Sequence, residues 1–153
     1  MNRPNPFAAP DIYWDDLTLG DVWHTQARTI TEPDLVAWLN LTWLTEELFT
    51  NLHDHTDTVI EGRLVPGAMV FSMSEALTLG AIRIKGLAFL HSDLTVKGPT
   101  RVGDTLHVRS TVIELRPATK TDRALARTRN ETINQRGETV LDYTALRLMR
   151  RRG

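Results

Sequence analysis

One segment constrains this chain more than any other: PGAMVFSMSEALTLGA, residues 66–81. Pro66 suits the opening of a helix, where its missing N–H would have no intrahelical partner. Met69, Val70, Met73, Ala76, Leu77 and Gly80 then recur at three- and four-residue steps, with Glu75 the single charge among them. A helix that is apolar on nearly every side has to be buried, so the rest of the chain must supply its cover.

The chain beyond this helix reads as strand. Phe89–Lys97, Thr105–Arg116, Arg123–Asn134 and Thr139–Met149 are extended runs separated by turn-rich stretches, GPTRVGD, ELRPATKTD and NQRGE. Gly137 is the residue expected at positive φ in the last of these. Long strands joined by tight turns predict an antiparallel meander. Leu141, Tyr143, Ala145 and Met149 share one face of the final strand. A sheet of this kind covers a central helix by curving around it. The expected class is α+β, a single domain.

Upstream, residues 1–13 are rich in Pro and Asn and read as irregular, with the domain expected over 14–153. Val22–Thr29 reads as extended. Thr31 is a good N-cap, Pro33 fits the first turn, and Glu32 and Asp34 favour the positive helix end. These predict a helix over 32–42 and, with Thr45 as cap, a short second one over Thr45–Leu52. His53-Asp54-His55 with Asp57 reads as loop; a zinc site wants three ligands held by structured spacing.

Composition closes off several functions. The chain has 153 residues, a net charge of −1 and no cysteine. Thiolate catalysis, disulfides and Cys-based zinc sites are excluded, and no global field draws the protein to nucleic acid. Basic residues do not interleave with Trp14, Trp23, Trp38 and Trp43, which read as core or interface. The N-terminus has no apolar core of a secretory signal. The longest apolar stretch, Leu64 to Ile84, is broken by Pro66, Gly67, Glu75, Gly80 and Arg83, so no membrane span is expected. The expected location is cytoplasmic. Arg150–Arg152 reads as a solvated tail. Ser74-Glu75 has no positioned His, so Ser74 reads as a satisfied buried hydroxyl.

Three stretches carry a family resemblance: ARTITEPDLVAWLNLT (27–42), EGRLVPGAMVFSMSEAL (61–77), and FLHSDLTVKGPTRVGDTLHVRSTVIELRP with NQRGETVLDYTALRLMRR (89–117 and 134–151). Together they resemble the MaoC-like hydratases, the R-specific enoyl-CoA hydratases and acyl dehydratases of the hotdog superfamily. The resemblance implies an antiparallel sheet wrapped around a long buried helix. It implies an acyl-CoA or acyl-ACP thioester as ligand, a role in fatty acid metabolism, no cofactor and no metal. It also implies a homodimer, or a heterodimer with another hotdog chain.

In that family an Asp and a His five positions later polarise one water, which adds to an enoyl thioester. The chemistry needs two groups that exchange protons within reach of that water. Counting without a gap from TITEPDLV (29–36), the Asp position falls on Leu44 and the His position on Phe49. The family's helix entry lies about seventeen residues beyond the His, and seventeen from Phe49 is Pro66, followed by Gly67. The resemblance assigns Gly67 to the thioester carbonyl and implies an acyl pocket of Leu44, Phe49, Val65, Pro66 and Ala68. Neither Leu44 nor Phe49 can move a proton. Two readings therefore stay open: an enzyme with displaced groups, for which Glu46, Glu47 and His53 are the candidates, or a non-catalytic thioester-binding subunit beside a complete partner. Thioester hydrolysis needs a positioned carboxylate, and none is evident at Gly67. Arg63, Lys97 and Arg101 are candidates to meet carrier phosphates.

Overall fold

In the computed structural model, residues 9–53 and 59–152 are described. The elements in chain order are β1 (Asp11–Ile12), a 3-10 turn (Trp14–Asp16), β2 (Val22–His24), β3 (Arg28–Thr29), α1 (Glu32–Thr42), α2 (Glu47–Thr50), α3 (Gly67–Ala81), β4 (Arg83–Ile84), β5 (Gly86–His91), β6 (Leu94–Val96), β7 (Thr105–Pro117), β8 (Arg123–Ile133) and β9 (Thr139–Arg150). Strands β7, β8 and β9 form the expected antiparallel meander, flanked by β2 on one side and β5 on the other; β3 also pairs with β7 and β6 with β9. Val22–Thr29 is thus two short strands, and Phe89–Lys97 is divided as well. Residues 9–13 are not wholly irregular, because β1 pairs in parallel with β4; residues 1–8, the rest of the segment expected to be irregular, lie outside the described residues.

Alternation along the long strands sets the inner face. Leu106, Val108, Ser110 and Val112 of β7 and Ala124, Ala126, Thr128, Asn130 and Thr132 of β8 are buried. Helix α3 lies over this face. Ser74 donates to the Val70 carbonyl at 2.7 Å and shares a 2.8 Å hydrogen bond with Thr132, so it is a satisfied buried hydroxyl. Helix α1 starts where the sequence indicates: the Thr31 amide and hydroxyl both donate to Asp34 Oδ2, at 2.9 and 2.7 Å. It ends on Trp43, at the positive φ of 57°.

Two features differ from the sequence reading. Burial of α3 is one-sided: Met69, Val70, Ser74 and Thr78 face the core, while Ala68, Ser72, Ala76, Leu79 and Gly80 face outward and are exposed. One sheet covers only one side of a helix. Nor is the terminal arginine run simply solvated. Arg151 pairs with Asp15 at 2.7 Å and Arg152 with Asp16 at 2.8 Å, and their guanidinium groups stack on the rings of Trp14 and Tyr13. Among the described residues no helix is long and apolar enough to cross a membrane.

Candidate functional site at the start of the central helix

The entry to α3 is fixed by backbone pairing. Leu64 bridges Arg101; the Val65 amide donates to Thr100 O and the Val102 amide to Arg63 O, both at 2.9 Å. Pro66 then ends the extended segment, and the Val70 amide closes the first turn on Pro66 O at 3.1 Å. The amides of Gly67, Ala68 and Met69 precede any intrahelical acceptor, so the positive end of a fifteen-residue helix is presented here. A Cβ at Gly67 would sit 3.1 Å from Val96 Cγ2, so any larger residue there requires Val96 to shift.

Beside Gly67 is a cavity of about 120 Å³. Phe49 comes in from α2, Ile60 and Val65 from the loop before α3, Val70 from the helix, Val96 from β6 and Leu141 from β9. Among the described residues lining it, none is ionisable. Of the five residues expected to form an acyl pocket, the structure brings Phe49 and Val65 to this cavity. Pro66 is buried immediately before Gly67, Leu44 is half-buried against the main core, and Ala68 is exposed. Glu46, Glu47 and His53 are exposed and none lines the cavity. The Glu46 carbonyl serves α2, accepting from Phe49 N and Thr50 N. The His53 amide donates to Asn51 Oδ1 at 2.9 Å. Asp54, His55 and Asp57 lie outside the described residues.

Arg63 is committed to structure. Its guanidinium grips both carboxylate oxygens of Glu32, with contacts of 2.9 to 3.1 Å, and donates to the Phe49 carbonyl. One side chain thereby joins α1, α2 and the entry to α3. Lys97 and Arg101 lie elsewhere. With Arg136 they line a hollow of about 370 Å³ that shares Gly98, Pro99 and Val140 with the apolar cavity. Arg101 Nε donates to Glu61 O at 2.7 Å. Neither Lys97 nor Arg101 forms a carboxylate salt bridge among the described residues. Arg136 was not singled out in the sequence; it sits in a turn, and only the folded hairpin brings it to the hollow of Lys97 and Arg101.

Sequence reasoning also passed over the charged group beneath α3. Glu75 accepts from Tyr143 Oη at 2.7 Å and from Arg147. Burial and the Glu75 carboxylate push the Tyr143 hydroxyl far above its ordinary range, so it remains a donor. Arg147 occupies a core-facing position of β9, at the same parity as Tyr143 and Ala145.

No protein-family model and no curated protein matches this chain. Solved structures do. The monoamine oxidase regulatory protein of Archaeoglobus fulgidus superposes with a TM-score of 0.86 at 24% identity, over 95% of this chain and 99% of that one. A MaoC-like dehydratase from Rhodospirillum rubrum gives 0.80 at 24% identity, over 93% and 99%. The fold is the hotdog fold. A double-hotdog protein from Mycobacterium tuberculosis gives 0.82 at 23% identity, over 93% of this chain but 45% of its own. The hotdog chain described here therefore corresponds to one of the two units in that protein.

Proposed function

We propose that this chain is an acyl-thioester-binding subunit built on a MaoC-like hydratase/dehydratase scaffold, and that a catalytically complete partner supplies the proton-transfer groups. One observation carries the reading: the cavity at the α3 N-terminus is lined mainly by Phe49 and aliphatic side chains, with Thr100 the one hydroxyl and no ionisable group among the described residues. Hydration of an enoyl thioester needs an acid and a base on one water, and Leu44 and Phe49 supply neither. Binding needs less. The thioester oxygen meets the Gly67 amide at the positive helix end, the acyl chain enters the apolar cavity, and the carrier phosphates, of CoA or of acyl carrier protein, meet Lys97, Arg101 and Arg136.

The edge formed by β5 and β6 supports a second hotdog chain as partner. Leu87, Phe89, Leu90, Leu94 and Val96 are exposed along it, and an open apolar edge pairs readily. The partner is a second copy or a relative with its Asp and His intact, in a cytoplasmic pathway of fatty acid metabolism.

The test offers crotonyl-CoA and longer enoyl-CoAs to the purified chain, with binding followed by calorimetry and turnover by loss of enoyl absorbance. Binding without turnover, lost in Gly67→Val, is the expected result. Turnover abolished by Glu47→Gln or His53→Ala overturns the reading in favour of a lone hydratase with displaced groups.

A further inference from the structure

A cavity of about 420 Å³ lies at the opposite end of α3. Gly67 and Gly80 bracket the helix thirteen residues apart, about 20 Å at the helical rise, so this cavity is separate from the one at Gly67. Its floor is apolar, with Met73 and Leu77 from the helix and Leu106 from β7. Small residues make the room: Ala76 and Gly80 line it, and a Cβ at Gly80 would meet nothing within 4 Å. The volume falls in the range of small-molecule sites, about 300–1,000 Å³.

Its rim is polar. His24 at the end of β2, Gln26 in the link between the strands, Arg28 of β3 and Ile30 all line the cavity. Ile30 is buried, as a core-facing position requires. His24, Gln26 and Arg28 are exposed, and the register shifts by one between β2 and β3: Arg28 pairs with Leu106 on the inner face of the sheet, His24 with Arg109 on the outer face. Among the described residues, neither the His24 ring nitrogens nor the Gln26 amide has a hydrogen-bond partner. Arg28 uses Nη2 on Asp34 Oδ1 at 3.0 Å. Asp34 Oδ2 is taken by the Thr31 amide and hydroxyl. The remaining Arg28 donors and the Gln26 amide are hydrogen-bonding groups at the rim of an apolar trough.

We propose that this cavity binds a medium-chain carboxylate. The carboxylate is held by Arg28 and Gln26, and the hydrocarbon lies along Met73, Leu77 and Leu106. The proposal does not depend on the reading of the Gly67 site.

Decanoate, titrated by calorimetry into the full chain, tests it, with decanol and acetate as controls for the head and the tail. Saturable binding of one decanoate per chain is expected, with both controls much weaker. Arg28→Ala should weaken decanoate by about tenfold or more, the scale of one charged hydrogen bond. Gly80→Leu, which fills the trough, should abolish it and leave enoyl-CoA binding at the other end of the helix unchanged. The proposal is overturned if wild type shows no saturable binding, if decanol binds as well as decanoate, or if Gly80→Leu still binds decanoate. A fall in oligomeric mass of Gly80→Leu by light scattering also overturns it, because the cavity is then a face between copies. Arg28→Ala is on an exposed edge, so it reports even if Gly80→Leu does not fold.

Discussion

Two of the carboxylate pairs made by sheet arginines differ mainly in where the arginine sits. Arg129 holds Asp142 on the outer face with two hydrogen bonds, at 3.1 and 2.6 Å, and the two side chains are 51% and 18% exposed. Arg147 holds Glu75 on the inner face under α3, where the side chains are 7% and 15% exposed. The carboxylates are similarly covered, but water solvates the Arg129 guanidinium whether or not the outer pair forms, so that pair's net worth is smaller. The inner pair has no such alternative; removing one partner strands the other in a poor dielectric. The same chemistry is a surface ornament in one place and a structural commitment in the other.

The largest expected effect comes from the inner pair. Arg147→Ala should lower stability by about 3–5 kcal/mol, read as a drop in the urea midpoint. Replacing both partners at once, Glu75→Gln with Arg147→Met, should recover most of that loss, since no charge is then left unpaired. If the double variant is as unstable as the single one, solvation is not what separates the two sites.

Asp104 stands between these extremes. It is buried, and that alone would raise its carboxyl pKa. Hydrogen bonds from Gln135, the Arg101 amide and Arg136 outweigh this and hold it below the ordinary value. Asp104→Asn should cost about 1–3 kcal/mol near neutrality. A carboxylate with a lowered folded pKa stabilises fully above its unfolded value, about 3.9. That contribution fades as pH falls through the folded value. Wild-type stability should therefore decline more steeply below about pH 4 than that of Asp104→Asn, which acid titrations of both proteins would show.

The smallest effect belongs to the outer face. Arg129→Ala should change stability by about 1 kcal/mol or less, and added salt should shrink the difference further. A loss as large as that of Arg147→Ala would erase the contrast.

Much of the fold is legible in the chain. Thr31, Pro33 and Asp34 mark the start of α1, Pro66 places the start of α3 within a residue, and Gly137 takes the positive φ of 79° its turn needs. These signals are local, so they survive without tertiary context. Part of the Gly67 cavity's lining was legible through the family resemblance, which implied Phe49 and Val65 for the pocket beside Gly67. Arg147 was not, because an arginine at core parity has meaning only beside Glu75, seventy-two residues away. Lys97 and Arg101 gained Arg136 as a neighbour, and lost Arg63, for the same reason.

By itself, then, the sequence determined where α1, α3 and the long strands β7, β8 and β9 run. Those are properties of single residues and short spacings. Only the tertiary structure decided that α3 is covered on one side, that Glu46, Glu47 and His53 stay off the cavity wall, and that Arg147 is buried while Arg129 is not. Each depends on which surfaces meet across long sequence separations, and burial sets the local dielectric that gives identical side chains different energies.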